Sequence, residues 1–185
     1  MKTLWLIFGL VSCLLQEQEP MARFGTTVVK SAGFRGDIYL LHSNTKKLPN
    51  FRKMHSVGSI YTAMLNVPPT NFTEGFPGVT GRFEWFAIDY NGRFWIEEPG
   101  LYGFSLLSDD GSKLYIDGHV VIDNDGIHAP NLEYGHVNLK SGLHDIRVSY
   151  FQGPRMQVAL ILSIAKPGGD YRLFNADEFL PPPDH

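Results

Sequence analysis

The chain has 185 residues, and 16 lysines and arginines against 19 aspartates and glutamates give it a formal net charge of −3. This length suits one large domain or one domain with a tail, and 43% hydrophobic and 19% charged residues exclude a wholly disordered or fibrous chain. The slight negative charge argues against a protein that binds the phosphate backbone of nucleic acid, so no nucleic-acid partner is expected. With 19 glycines, 12 prolines and 13% aromatic residues, the composition favours many short strands and tight turns over long helices.

The N-terminal segment predicts an export signal. Lys2 precedes an apolar run over residues 4–11, which has the size of the apolar part of a signal peptide and is too short to cross a bilayer. Residues 10–13, LVSC, resemble a bacterial lipobox, whose cysteine becomes the acylated first residue. We therefore expect residues 1–12 to be a signal peptide and Cys13 to be lipidated.

Residues 13–32 are then a polar tether that holds the protein to a membrane of the bacterial cell envelope through its lipid. In the alternative interpretation, Cys13 is apolar filler in an ordinary secretory signal and the protein is secreted. Cys13 is the single cysteine, so an intrachain disulfide is excluded.

From residue 33 onward the periodicity is that of β-strands. Apolar side chains alternate with other residues over 146–150 and 158–164, as in strands that bury one or both faces. Turn signals separate such segments at Asn91-Gly92, Pro99-Gly100, Asp117-Gly118 and Ser141-Gly142, of which the first and third predict hairpins. The spacing indicates an antiparallel sandwich or barrel with short helical turns near residues 48–54 and 175–179. Trp85, in alternation with Phe83 and Ala87, is assigned to the core.

Residues 106–118, LLSDDGSKLYIDG, resemble the signature of the PA-14-type domain, the β-sandwich named after the anthrax protective antigen. Residues 99–104, 120–128 and 139–151 match flanking parts of that family in the same order. The resemblance covers roughly residues 33–183 and implies an all-β fold, an antiparallel β-sandwich over residues 33–185. Domains of this family occur in toxins, adhesins, glycosidases and other exported proteins, usually with a glycan-binding role.

Asp109 and Asp110 are candidate metal ligands. In a regular strand, neighbouring side chains point to opposite faces, so adjacent carboxylates do not share a ligand. In sugar-binding relatives such as yeast flocculins, the peptide between the matching aspartates is cis, which turns both toward one calcium ion. A hard divalent cation would also relieve the repulsion between the carboxylates. In the alternative interpretation, the two aspartates cap the end of a strand and its turn.

The resemblance places a third metal ligand in a second loop. Where the flocculin-like relatives offer an asparagine after the strand that matches residues 143–151, this chain has Gln152. Its amide oxygen can accept, but its longer side chain changes the reach. Arg155 in the same loop is either a sugar-binding residue, suited to hydroxyls or an acidic sugar, or simply a solvated arginine.

Four other positions are candidate sugar-binding residues. Asp123 and Asp125 belong to an oxygen-rich segment that lacks the glycine and glutamate spacing of an EF-hand, so it is either an Asx-rich turn or the rim of the acidic site. Asn131 follows in the same loop. Trp95 shares a strand face with Arg93 and Glu97, which makes it either a platform for a sugar ring or part of the core or a covered edge.

The sequence lacks a nucleophile elbow, a P-loop and a dinucleotide-binding glycine motif, so we do not expect an enzyme. The leading hypothesis is a carbohydrate-binding, lectin-like domain of the cell surface that binds a glycan or polysaccharide, with Ca²⁺ as its cofactor. Its site would lie in loops 108–111, 123–131 and 151–156. One alternative is a protein–protein interaction module of the envelope that has lost the sugar site, and another is a hydrolase with an unfamiliar site.

Overall fold

The computed structural model describes residues 33–71, 75–79, 81–154 and 157–183. The predicted signal peptide, Cys13 and the tether lie outside these residues, as does Arg155. The strands are β1 (Phe34–Leu40), β2 (Gly58–Thr62), β3 (Asn66–Asn71), β4 (Phe86–Ile96), β5 (Gly100–Asp109), β6 (Ser112–Ile116), β7 (His119–Asn124), β8 (Asn131–Leu139), β9 (Gly142–Gln152), β10 (Gln157–Ala165) and β11 (Arg172–Leu173).

Two short 3₁₀ helices, Phe51–Lys53 and Ala176–Glu178, occupy the positions where helical turns were predicted. Asn50 and Asn175 cap them, because each side chain accepts a hydrogen bond from a backbone N–H of the first turn. Within the described ranges, no helix is long and apolar enough to cross a membrane.

The strands form two antiparallel sheets. The first has the order β2-β1-β4-β9-β6-β7, and the second has the order β11-β10-β5-β8, with β3 also paired to β10. Side chains from both sheets form one continuous apolar core. The predicted all-β antiparallel sandwich is therefore confirmed.

The core lies between the inward faces of β4 and β9 on one side and of β5 and β10 on the other. Phe94 of β4 and Phe104 of β5 are fully buried and meet edge to face, with ring centroids 6.3 Å apart. Removing one such side chain from water contributes about 1.5–3 kcal/mol. β5 ends at Asp109 and β9 ends at Gln152, and the acidic pair lies at this end of the two strands.

The turn predictions had different outcomes. Asp117 and Gly118 join β6 to β7 with φ of 49° and 78°, as a primed hairpin turn requires. The hairpin predicted at Asn91-Gly92 is wrong, because β4 continues through both residues. A Cβ on Gly92 would lie 2.8 Å from the carbonyl oxygen of Gly33, so this glycine allows two backbones to approach rather than a turn.

Trp85 does not lie in the main core. It precedes β4 with a φ of 57°, which interrupts the alternation on which the prediction rested. The half-buried ring packs on a small second cluster of Leu41, Ala87 and Phe151. This cluster lies next to the loop that follows β9.

Candidate functional site

Asp110 lies where three loops meet. The backbone N–H of His128 donates to its Oδ1 at 3.2 Å, and the backbone N–H of Gly153 donates to its Oδ2 at 2.8 Å. The peptide bond between Asp109 and Asp110 is cis. The loops after β5, β7 and β9, which the sequence singled out, are therefore adjacent in space.

Gly111 permits this convergence. A Cβ at this position would lie 2.4 Å from Cε1 of Phe151 and 2.6 Å from the backbone nitrogen of Gly126. The carbonyl oxygen of Gly111 also accepts a hydrogen bond from the N–H of Phe151 at 2.9 Å. The loop after β7 can approach the acidic pair only because residue 111 has no side chain.

The two aspartates are buried in different ways. Among the described residues, none donates a hydrogen bond to the Asp109 carboxylate. The Asp110 carboxylate, in contrast, accepts hydrogen bonds from the backbone N–H groups of His128 and Gly153. Burial, and next the charge of Asp110, raise the pKa of Asp109 to about 6. Burial also raises the pKa of Asp110, although its hydrogen bonds from Gly153 and His128 oppose that effect. Asp109 is thus a buried acid that favours either a proton or a nearby positive charge.

Gln152 is fully buried beneath the pair. Its Nε2 faces three acceptors, namely Oδ2 of Asp110 at 3.3 Å and the carbonyl oxygens of Pro154 and Gln157 at 3.3 and 3.1 Å. Its Oε1 lies 2.6 Å from the hydroxyl of Tyr150. In this arrangement the amide nitrogen, not the oxygen, is directed at the acidic pair, so Gln152 positions Asp110 by donating to it.

Acceptors outnumber donors around this network. The single hydroxyl proton of Tyr150 faces both Oε1 of Gln152 and the carbonyl oxygen of Asp109, at 2.6 and 2.7 Å, and the two amide protons of Gln152 face three oxygens. Burial raises the pKa of Tyr150, so its hydroxyl remains a donor. A region rich in oxygen lone pairs and poor in protons suits a hard cation.

Asp123 and Asp125 are directed at a lysine instead of the acidic pair. Nζ of Lys113 lies 3.0 Å from Oδ2 of Asp123 and 3.4 Å from Oδ2 of Asp125. Oδ1 of Asp123 accepts from the N–H of Asp125 at 3.2 Å, and Oδ1 of Asp125 accepts from the N–H of Leu48 at 2.8 Å. These contacts describe an Asx turn held against Lys113 and the segment before the first 3₁₀ helix.

Asn131 lies at the edge of the site, at the start of β8. Its Nδ2 donates to Oδ1 of Asn124 at 2.9 Å and to Oε1 of Glu133 at 3.0 Å. The Asn124 amide in turn donates to the hydroxyl of Ser108 at 3.1 Å. Asn131 thus joins the loop after β7 to the strand that carries the acidic pair.

Trp95 lies at the other end of β4. Phe86, at the first end of that strand, pairs with Gln152, whereas Trp95 pairs with Leu143. Trp95 lies nine positions after Phe86, which is about 30 Å along the strand. Trp95 therefore does not belong to the loop cluster around Asp110.

Residues that the sequence reasoning missed surround Gly153. A Cβ on Gly153 would lie 3.5 Å from Cζ3 of Trp85 and 3.7 Å from Cγ1 of Ile127, which is 45% exposed. Both ring nitrogens of His128 lie against carbonyl oxygens, of Ala129 at 2.9 Å and Asn124 at 3.0 Å, which orients the ring. Ile127 follows the oxygen-rich segment directly, but only the tertiary structure shows that it lies with Trp85 beside Gly153.

No group of three or more His, Cys, Asp or Glu side chains within the described ranges is arranged to hold a metal ion. The acidic pair supplies two carboxylates, and any further oxygens would have to come from backbone carbonyls or amides. In this donor set only Asp109 and Asp110 contribute negative charge.

Comparison with known proteins identifies the class of domain. The family model of the PA14 domain matches residues 53–178. No curated protein sequence matches the chain. The chain belongs to the PA14 domain family, and the family resemblance read from residues 106–118 is confirmed.

Solved structures share the fold at low sequence identity. A PA14 sugar-binding domain from an RTX adhesin is 17% identical with a TM-score of 0.64, and the match covers 79% of this chain and 96% of that domain. The epithelial adhesin 9 A domain from Candida glabrata, solved with Galβ1-3GlcNAc, is 17% identical with a TM-score of 0.57, over 81% of this chain and 89% of that one. An anti-sigma factor domain-containing protein is 18% identical with a TM-score of 0.64 over 82% of this chain, and the match spans about half of that protein, 49%.

Proposed function

We propose that this domain binds carbohydrate at the loop cluster around Asp110 and that Asp109 and Asp110 hold a divalent cation there, with Ca²⁺ as the preferred ion. The observation that supports this most directly is Asp109, a residue that is 5% exposed and whose carboxylate accepts no hydrogen bond from the described residues. Two structural neighbours are described as a sugar-binding domain and as an adhesin solved with a disaccharide, which favours the same ligand class here.

A bound cation would supply a positive centre to which sugar hydroxyl oxygens coordinate. The role of the chain is to hold its two carboxylates at a fixed position. The N–H groups of His128 and Gly153 fix Asp110, and the Tyr150 hydroxyl fixes the backbone of Asp109. These contacts lower the cost of ordering the site when the ligand binds.

The apolar groups near Gly153 are suited to the nonpolar face of a sugar ring. Trp85 offers part of an indole ring and Ile127 an exposed aliphatic side chain. Aromatic rings with a polar edge are suited to ligands that are apolar on one face and hydroxylated at the rim. We assign Trp85 and Ile127 as sugar-contacting residues and Gln152 as a positioning residue.

A glycan array with and without chelator tests the proposal. We expect binding in Ca²⁺ that is lost in EDTA and in the variant Asp110→Ala. Asp170→Asn is the matched control, because Asp170 is an exposed aspartate before β11 and its substitution removes the same charge. Calorimetric titration of Ca²⁺ into the same proteins reports cation binding separately from sugar binding.

Two results would overturn the proposal. The first is an array without hits while calorimetry detects no Ca²⁺ binding, which favours the alternative of a protein interaction module. The second is glycan binding that neither EDTA nor Asp110→Ala weakens. The absence of enzymatic activity remains a prediction, which chromogenic glycosides would test on the same preparations.

We also propose an envelope location for the protein, as residues 1–13 predict. Metabolic labelling with a radioactive fatty acid tests lipidation directly. We expect label in the native chain and none in Cys13→Ser, and detergent-free fractionation should move that variant from the membrane to the soluble fraction. Secretion of the unlabelled native chain would instead support an ordinary signal peptide.

A further inference from the structure

The outward face of the second sheet differs from an ordinary solvated sheet face. Along β5, Tyr102, Phe104 and Leu106 are buried in the core, so the alternate residues point outward. Before Asp109, which ends β5, the outward positions with their register partners are Leu101, Gly103, Ser105 and Leu107 of β5, Leu132, Tyr134, His136 and Asn138 of β8, Ile161, Ser163 and Ala165 of β10, and Leu173 of β11. None of these described positions is Asp, Glu, Lys or Arg. Gly103, Ser105 and Ala165 are buried among these residues.

The outward face of the first sheet has the opposite character. Its outward positions on β1, β4, β6, β7 and β9 carry eight charged residues, namely Arg35, Asp37, Asp89, Arg93, Lys113, Asp123, Asp145 and Arg147. Both faces come from a chain in which 19% of residues are charged. The lack of charge is therefore a property of one sheet face and not of the whole surface.

Two tyrosines stand on the uncharged face. Tyr134 is 56% exposed and Tyr171 is 41% exposed, and their rings meet edge to face with centroids 5.3 Å apart. Tyr171 crosses the strand at Gly103, where a Cβ would lie 2.6 Å from its hydroxyl oxygen. Ser105 pairs with Tyr134 in the ladder and is buried next to it, only 6% exposed.

This face continues from the acidic pair. Asp109 ends the same strand that carries Ser105 and Leu107 on its outward side. Asp109 lies four positions after Ser105, which is about 13 Å along the strand. A ligand larger than one sugar ring, bound near Asp109, would reach the tyrosine pair along β5.

We propose that the outward face of the second sheet, centred on Tyr134 and Tyr171, is a second binding surface for an uncharged polysaccharide chain. Exposed tyrosines offer flat rings with a hydroxyl at the edge, which can bond the hydroxyl groups of a sugar. The charged groups of a charged partner would meet no side chain of opposite charge at these positions. The inference shares its ligand class with the proposed function but depends on neither the cation nor Asp110.

Affinity electrophoresis tests this surface with soluble galactan, mannan and β-glucan in the gel, and with polygalacturonate as the charged comparison. We expect retardation by at least one of the neutral polymers, still present in EDTA and in Asp110→Ala. Tyr134→Ala and Tyr171→Ala should each weaken it roughly five- to tenfold, as expected for the loss of one stacked ring. Tyr134→Phe keeps the ring and should retain most of the binding.

Tyr61→Ala is the matched control, because Tyr61 is 54% exposed and pairs with Arg35 at the edge of the first sheet. Thermal unfolding confirms that the variants fold. Unchanged retardation in the double variant Tyr134→Ala, Tyr171→Ala would overturn the inference, as would the absence of retardation by every neutral polymer. Light scattering that shows a dimer dissociated by the same variants would assign the face to self-association and overturn it as well.

If chelator abolishes array binding but the tyrosine variants bind the polymers normally, the proposed function stands and this inference fails. If array binding is absent but the neutral polymers still retard the protein in a tyrosine-dependent way, this inference stands and the proposed function fails. Asp110 follows β5, whereas Tyr134 lies on β8 and Tyr171 precedes β11, so the two proposals fail separately.

Discussion

The buried acid Asp109 predicts an unusual pH dependence of stability. Its pKa rises from 3.8 to about 6 in the folded chain, so between these values the folded state binds more protons than the unfolded state. Stability contributed by the protonated acid is complete below pH 4 and is lost as the pH rises through 6. Since a tenfold change in proton affinity is worth about 1.4 kcal/mol, the loss is at most about 3 kcal/mol.

The perturbation is the isosteric substitution Asp109→Asn, followed by urea denaturation from pH 4 to 8 in EDTA. In the native chain, the free energy of unfolding should fall more steeply with pH than in the variant, and the two curves should separate by up to about 3 kcal/mol above pH 7. Burial raises the pKa of Asp110 and of Asp89 too, so the difference between the curves removes the contribution of Asp89 and reports Asp109 together with its coupling to Asp110. Asp170→Asn is the control and should follow the native curve.

Calcium should reverse this trend if the acidic pair binds it. The cation competes with the proton, so added Ca²⁺ should stabilise the native chain above pH 6 and lose its effect below that pH. Parallel curves of unfolding free energy against pH for the native chain and Asp109→Asn in EDTA would refute the reasoning. They would show that ionisation of the Asp109 carboxylate does not destabilise the folded state.

Three other substitutions test the packing that supports the site. Gly111→Ala would place a Cβ 2.4 Å from the Phe151 ring, and urea denaturation should show a loss of about 1–3 kcal/mol. Ser149→Ala removes a 2.6 Å hydrogen bond to the buried Asp89 and should cost about 1–3 kcal/mol in the same assay. Phe104→Ala empties a fully buried core position and should cost about 3–5 kcal/mol, with a smaller loss counting against tight packing there.

Local chemistry explains which parts of the fold could be predicted. The turn at Asp117-Gly118 depends on the φ preferences of two adjacent residues, which the sequence displays directly. Asn91-Gly92 has the same local signature, but Gly92 is required by the backbone of Gly33, almost sixty positions earlier. In the sequence, a glycine that a turn needs for its positive φ looks the same as a glycine that allows two backbones to approach. Only the folded structure distinguishes the two roles.

In the candidate site, too, the sequence indicates some residues directly, whereas tertiary contacts decide the role of others. Asp109 and Asp110 stand out because they are adjacent and lie inside a recognisable family segment. The role of Gln152 depends on Tyr150, Pro154 and Gln157 as well as Asp110, and those contacts decide which end of its amide faces the acid. Residue type alone could not indicate that choice, because an amide offers a donor and an acceptor at equal distance.

Tyr150 connects the core to the candidate site. Its ring stacks on Phe76 with centroids 5.1 Å apart and meets Phe86 edge to face, while its hydroxyl donates to the carbonyl oxygen of Asp109. A shift of that ring would displace the backbone of the acidic pair, because the hydroxyl is the rigid end of the same side chain. The position of Asp109 is thus set by aromatic packing between the sheets, whereas Asp110 is held by the N–H groups of two loops. Sequence changes in those loops can alter ligand contacts while the core keeps one carboxylate in place.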